Sequence, residues 1–386
     1  MQDLNQIIFQ NSQKKFALYH NILDCLPKFL RYIKLYGLRT ALIKSYGRLR
    51  LPFFSAVFFY PQLKRSTAKN IAIIGCGQFA FSTIAKILYS HGLRFGFCMD
   101  PEEYKAHTLA KFYHIPSFGT ENNLPENIEY VYIASNHASH ATYAIECIEK
   151  NYTVFIEKPI VVSRNQLKLL KEAMKKNNPN IYFGYNRPFS AAIKTLRSYL
   201  NATPFTLTCT VIGHFIEANH WYRNPTEGTR VCGNLGHWID LAIHLLYAAR
   251  QGFKTIHVQI SYADQENSDD NITVVFTTES NDLITLTLSS REEPFEGINE
   301  TIIFQQKHIF AKIDDFRSAV FYLGNKKISK KYKPKDVGHT NSILQPFNTK
   351  HSFHRSKDET IISTELMLTV MEMVINKQQY GTYEIV

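Results

Sequence analysis

The sequence has no C-x-x-C pair, no internal repeat and no run near the roughly 20 apolar residues needed to cross a bilayer. Its six cysteines (25, 76, 98, 147, 209 and 232) are scattered, which argues against a disulfide framework or zinc site and for a reducing compartment. The opening residues, MQDLNQ, lack the basic start, apolar stretch and small-residue cleavage site of a secretory leader, so a cytoplasmic protein is expected. Acidic residues are scarce in one region only. Residues 1–69 hold 12 Lys/Arg against Asp3 and Asp24, while the remainder carries 32 basic and 31 acidic residues. The net charge of +11 therefore belongs to an N-terminal extension on a neutral body, and no nucleic-acid partner is expected, since no recognised binding motif is present.

What is present starts at Asn70. Ile71–Ile74 is a short apolar run suited to a strand buried on both faces, and Gly75, Gly77 and a helical pattern over Gln78–Ser90 follow at once. A strand, a glycine turn and a helix start make an anion site: the first N–H groups are unpaired and the helix dipole is positive there. The pattern is G-x-G-x-x-A, with Gln78 and Phe79 in its interior and Ala80 as the small residue that lets helix and strand approach. A second strand, Leu93–Met99, ends in Asp100, 25 residues after Gly75, where an acid can accept from a ribose 2′-hydroxyl. No Arg follows Asp100 directly to receive a 2′-phosphate, so NAD is expected as cofactor and NADP less so.

Strand and helix alternate onward. Strands are expected at Tyr130–Ala134, Thr153–Ile156 and Ile181–Gly184, with helices at about 101–113, 140–150 and 164–176. This is the texture of a doubly wound parallel sheet, whose ligands lie at the carboxyl ends of the strands. From Phe205 strands dominate, at 205–212, 255–261, 271–278, 283–289, 301–305 and 309–313, broken by one long helix over about 237–250. That predicts an α+β domain with an open, mainly antiparallel sheet. Residues 326–355 read as a basic loop and 359–376 as a final helix. The expected division is an extension over 1–68, a Rossmann domain over 69–188, a substrate domain over 189–357 and a C-terminal helix and tail over 358–386. In the extension, Ile22, Leu26, Phe29, Leu30 and Ile33 project to one side of a helix and Lys28, Arg31 and Lys34 to the other. Two readings stay open: an arm packed on the body with its basic face in water, or a peripheral contact with an anionic membrane.

With GCGQFA at 75–80, IASNHASH at 133–140, EKP at 157–159, GYNRPFS at 184–190 and GNLGHWIDL at 233–241, the chain resembles the glucose–fructose oxidoreductase, inositol dehydrogenase and MocA family. Within it the sequence is most similar to members associated with nucleotide sugars and surface polysaccharides. The resemblance implies an NAD-dependent oxidoreductase moving a hydride to or from a sugar or nucleotide-sugar carbon, with no metal, as a homodimer or homotetramer. It implies Lys158 as the cation beside the developing alkoxide, His237 as the proton acceptor, and a cis Lys158–Pro159 bond. Ala134, Ser135, Asn136, His140 and Glu157 would line the cofactor; Asn186 and Arg187 would stand beside substrate. His220-Trp221-Tyr222 offers aromatic faces on which a sugar stacks, and Asp240 could share the face of His237. His137-x-x-His140 and His351-x-x-His354 are metal-like pairs without a third ligand. Gly233 departs from the family, many of whose members carry an acid four residues before the histidine. That departure keeps two alternatives open: an NAD-binding scaffold without turnover, and an NAD-dependent glycosidase of the same fold.

Overall fold

A computed structural model describes residue 27 and residues 29–50, 54–60, 68–250, 253–291, 297–347 and 355–385. Ile22, Leu26, Lys28, most of the 61–69 linker and the His351/His354 pair lie outside the described residues.

Six parallel strands form the first sheet, in the order β3-β2-β1-β4-β5-β6. They are β1 (Ile71–Ile74), β2 (Phe95–Met99), β3 (Ser117–Gly119), β4 (Tyr130–Ile133), β5 (Thr153–Ile156) and β6 (Ile181–Phe183). β1 and β2 are buried at every position, as continuous apolar runs require when helices cover both faces. Helix α1 (Leu38–Leu49), from the extension, packs on one face together with α2 (Ala85–Ser90) and α3 (Glu103–Tyr113). Its Tyr46 ring lies 4.6 Å from Phe112 and 5.9 Å from Phe81. Helices α4 (His140–Glu149) and α5 (Arg164–Asn177) cover the other face. Ser163 caps α5 by accepting from the Gln166 N–H.

The second sheet has nine strands in the order β14-β13-β12-β11-β7-β10-β9-β8-β15, in which β11 is Asn299–Gln306, β12 Ile309–Asp314, β13 Ser318–Leu323 and β14 Lys326–Lys331. All pairs are antiparallel except β7 (Thr206–Ile212) with β10 (Leu283–Ser289). β9 (Ile272–Thr278) alternates strictly and turns Ile272, Val274 and Phe276 inward, so one face is buried and the other open. Over the inner face run α6 (Gly236–Ala249) and α8 (Lys357–Ile375), packed on each other. The last strand, β15 (Tyr380–Glu384), pairs with β8 (Thr255–Tyr262), which builds the C-terminal residues into this domain.

The 326–355 region is not a plain loop. Lys326–Lys331 is strand β14, paired with β13 (Ser318–Leu323), and His339–Ile343 is helix α7. From α7 the chain reaches back across the first sheet, where the Tyr132 hydroxyl donates to the Ile343 carbonyl and the Gln345 amide to that of Phe183.

Candidate active site

The turn after β1 is shaped by a close approach. Gly75 has φ +87°, and a Cβ there would sit 2.5 Å from the Ala134 carbonyl and the Ser135 nitrogen. Ahead of Gly77 the space is open, with nothing within 4 Å of a hypothetical Cβ. Asp100 fixes this turn: one carboxylate oxygen accepts from Cys76 N–H at 2.8 Å and the other from Glu102 N–H at 2.9 Å. A cradle of open glycine, helix N-terminus and nearby acid fits a pyrophosphate with its ribose. The Gln78 side chain does not face this cradle; its amide donates to the Lys44 carbonyl of α1. Arg50, at the C-cap of α1, donates to the Cys76 carbonyl, the Lys105 carbonyl and Thr108 Oγ1. The extension therefore grips the glycine turn from outside, and Arg50 is a residue that local motif reading had no means to find.

The β4 loop is tied to the second domain. Asn136 donates to Glu227 Oε1 at 2.6 Å, Ala138 N–H to Glu227 Oε2 at 3.0 Å, and His137 Nδ1 lies 3.1 Å from the Glu227 carbonyl. Ser135 and Ser139 share a hydroxyl bond of 2.7 Å. His140 is buried between the carbonyls of Pro159 and Ser135 and positions both loops rather than lining the cleft. Burial and the Lys158 charge push His137 down to about 2.

The Lys158–Pro159 bond is cis. Lys158 Nζ crosses between domains and donates to the Gly233 carbonyl at 3.0 Å. Glu157 accepts from the Lys158 N–H, and its carboxylate fits because Gly184 has no side chain: a Cβ there would stand 2.7 Å from Oε1. Burial lowers the Lys158 ammonium from its ordinary value and raises the Glu157 carboxyl. His237 follows Gly233 by four residues, in the first turn of α6, where it feels Lys158, Arg187 and His339. Its Nδ1 is buried without a hydrogen-bond partner among the described residues. Burial, then the Arg187 and Lys158 charges, hold its imidazole well below the usual histidine value.

Tyr222 occupies the space a side chain at 233 would need: its hydroxyl lies 1.9 Å from the Cβ position of Gly233. The missing acid at 233 thus leaves a socket for the phenol, and burial keeps that phenol protonated. The Tyr222 ring also meets His137 edge-on at 4.9 Å, beside the half-exposed Trp221. His339, which the loop reading of 326–355 hid, stands 5.5 Å from Phe79 at the glycine turn. Burial and then the charges of Arg187, Lys86 and Lys158 push it down to about 3.

Three expected substrate groups have other partners. Asp240 faces away from His237; Arg355 donates to both of its oxygens at 2.8 and 2.9 Å, and Ser363 adds a third bond. Arg187 forms a buried bidentate pair with Glu300, whose carboxylate also accepts from the Trp238 indole. Asn186 donates to the Val337 carbonyl and accepts from Arg187. Each is a local polar side chain whose partner is distant in sequence, and only the fold reveals that partner.

Among known proteins, an oxidoreductase family with an NAD-binding Rossmann fold has a sequence pattern that matches residues 69–185. That pattern is the one of the glucose–fructose oxidoreductase, inositol dehydrogenase and MocA family, to which residues 69–185 are similar. Among curated proteins it is similar to a glucose-6-phosphate 3-dehydrogenase of Bacillus subtilis, 22% identical over 46% of this chain and 52% of the relative. It is also similar to an oxidoreductase P35 of Formosa agariphila, 29% identical over 39% of this chain and 46% of the relative. The match thus spans about half the length of these curated relatives. The solved structure of GenD2 from gentamicin A biosynthesis, in complex with NAD, superposes with TM-score 0.67 at 14% identity, covering 84% of this chain and 99% of that one. An aldose–aldose oxidoreductase from Caulobacter crescentus gives TM-score 0.66 at 16% identity, covering 82% and 99%. These superpositions define the fold as the two-domain architecture of the family.

Proposed function

We propose that the chain is an NAD-dependent oxidoreductase acting on a hydroxyl or keto carbon of a sugar or nucleotide sugar. The observation that carries the reading is the meeting of Lys158, from the Rossmann domain, with the Gly233–His237 turn of the second domain. Gly75, Gly77 and the Asp100 carboxylate would hold the dinucleotide, and NAD when bound supplies the hydride acceptor. Lys158 and His237 divide the work on the alcohol. The sequence predicts His237 as the proton acceptor, and burial with the Arg187 and Lys158 charges lowers its imidazole from the ordinary value, which favours the neutral ring. We assign it the task of accepting a hydrogen bond and orienting the hydroxyl. Lys158, lowered by burial, exchanges a proton closer to neutral pH, and as an ammonium it stabilises the developing oxyanion. Trp221 and Tyr222 form the wall on which a sugar ring would stack.

The open face of the nine-stranded sheet, with Ile303 and Tyr322 exposed, is where we place a homo-oligomer contact. We place the working enzyme at an anionic membrane, through the basic extension of residues 1–60, where activated sugars for polysaccharide assembly are handled. Titration calorimetry with NAD, followed by nicotinamide absorbance across a panel of sugars and nucleotide sugars, tests the reaction. Expected are NAD binding, turnover of at least one sugar class, and a loss of roughly 1,000-fold in Lys158→Ala with NAD affinity nearly intact. Binding without turnover across the panel would select the scaffold reading. Release of free sugar with no net absorbance change would select the glycosidase.

A further inference from the structure

Residues 27–60 carry apolar side chains that the body leaves uncovered. Six of the sixteen large apolar side chains exposed among the described residues fall in this short segment, a density the rest of the chain does not approach. Helix α1 shows why. Ile43 and Tyr46 are buried against the Rossmann helices, while Leu38, Leu42 and Leu49 are 55%, 40% and 65% exposed. At the helical advance of about 100° per residue, these three leucines fall within roughly 40° of one another, on a single stripe. Phe58, in the following turn, is 72% exposed.

The sequence around this stripe carries charge of one sign. No Asp or Glu occurs between Asp24 and Asp100, and Arg31, Lys34, Arg39 and Arg48 are exposed. A bilayer with anionic headgroups supplies the apolar layer and the negative plane together. No described helix is long and apolar enough to cross a membrane, which leaves a surface contact.

We infer that helix α1 and the turn at Phe58 seat this protein on an anionic lipid surface, with Leu38, Leu42, Leu49 and Phe58 entering the headgroup boundary. The neighbouring cations meet lipid phosphates. This deepens the membrane placement proposed above by naming the contacting side chains. The same helix holds the glycine turn through Lys44 and Arg50, so the lipid contact and the cofactor cradle share one rigid element.

The test is sedimentation of the full-length chain with phosphatidylcholine vesicles, with or without about one-third phosphatidylglycerol. Expected is partitioning at least about ten-fold stronger onto the anionic vesicles, weakened by high salt. The variant Leu38→Ser/Leu42→Ser/Phe58→Ser should lose about ten-fold or more of that partitioning, since it removes most of the apolar contact. Its NAD affinity, measured by calorimetry, should match the parent and so certify the fold. Equal binding to neutral vesicles, or a variant that sediments like the parent, overturns the inference. It is overturned too if vesicles capture nothing and the triple variant instead dissociates a dimer in analytical ultracentrifugation, which would assign the stripe to a second copy. A chain that sediments with lipid but binds no NAD would count against the oxidoreductase reading alone.

Discussion

The two halves of the cleft are built differently. The dinucleotide half is backbone against backbone: Gly75 lies against the Ala134–Ser135 peptide, and Asp100 holds amides of Cys76 and Glu102. The substrate half is side chain against side chain: Tyr222 sits in the socket of Gly233, and Arg187 is clamped by Glu300 under Trp238. The first arrangement tolerates almost no added atom. The second exchanges one side chain for another while keeping its shape.

The sharpest way to break that contrast is Gly75→Ala. The new Cβ would combine a left-handed φ with a clash against unyielding backbone, for a cost of roughly 3 kcal/mol. Chemical denaturation should show that loss together with abolished NAD binding. A substitution that left both unchanged would remove the close approach from the account. Gly233→Ala should cost less, about 1–2 kcal/mol, because its clash is with the tip of a side chain that can swing away. Turnover should suffer more than NAD affinity. Adding Tyr222→Ala to Gly233→Ala should cost little further, since the new Cβ already displaces the phenol from the socket; additive losses would show that the two residues are independent.

The smallest effect per group is shared by both halves. His137 and His339 are held neutral, with values of about 2 and about 3, whereas in the unfolded chain each titrates near the ordinary histidine value. Below about pH 6.5 the unfolded state therefore binds more protons, and stability falls as pH falls. At about pH 5.5 each such histidine should account for roughly 1.4 kcal/mol of loss. Thermal unfolding of His137→Gln and His339→Gln across that range should each flatten the slope by about one proton. A slope identical to the parent would mean the imidazoles are charged in the fold.

The same contrast explains what the sequence revealed. The glycine turn, the strand ends and the Glu157-Lys158-Pro159 corner come from neighbouring residues whose spacing is itself the signal. The parallel sheet could therefore be read almost strand by strand. Lys326–Lys331 reads as loop because a lysine-rich edge strand has no apolar alternation to show. His339 lies in a five-residue helix too short for periodicity. Asp240 was placed by its spacing from His237, but helical spacing says nothing about Arg355, more than a hundred residues on. Tyr222 was picked out for its flat ring, and only three dimensions show that it fills the place of the absent acid at Gly233.

Glu227 carries a consequence for traffic through the enzyme. With both carboxylate oxygens and its own carbonyl engaged by the 136–138 loop, it works as a rivet at one corner of the cleft. Jaw-like parting of the two lobes would have to break three bonds there at once. The Pro225–Glu227 turn and the 136–138 loop are thus latched as one hinge plate, expected to shift together.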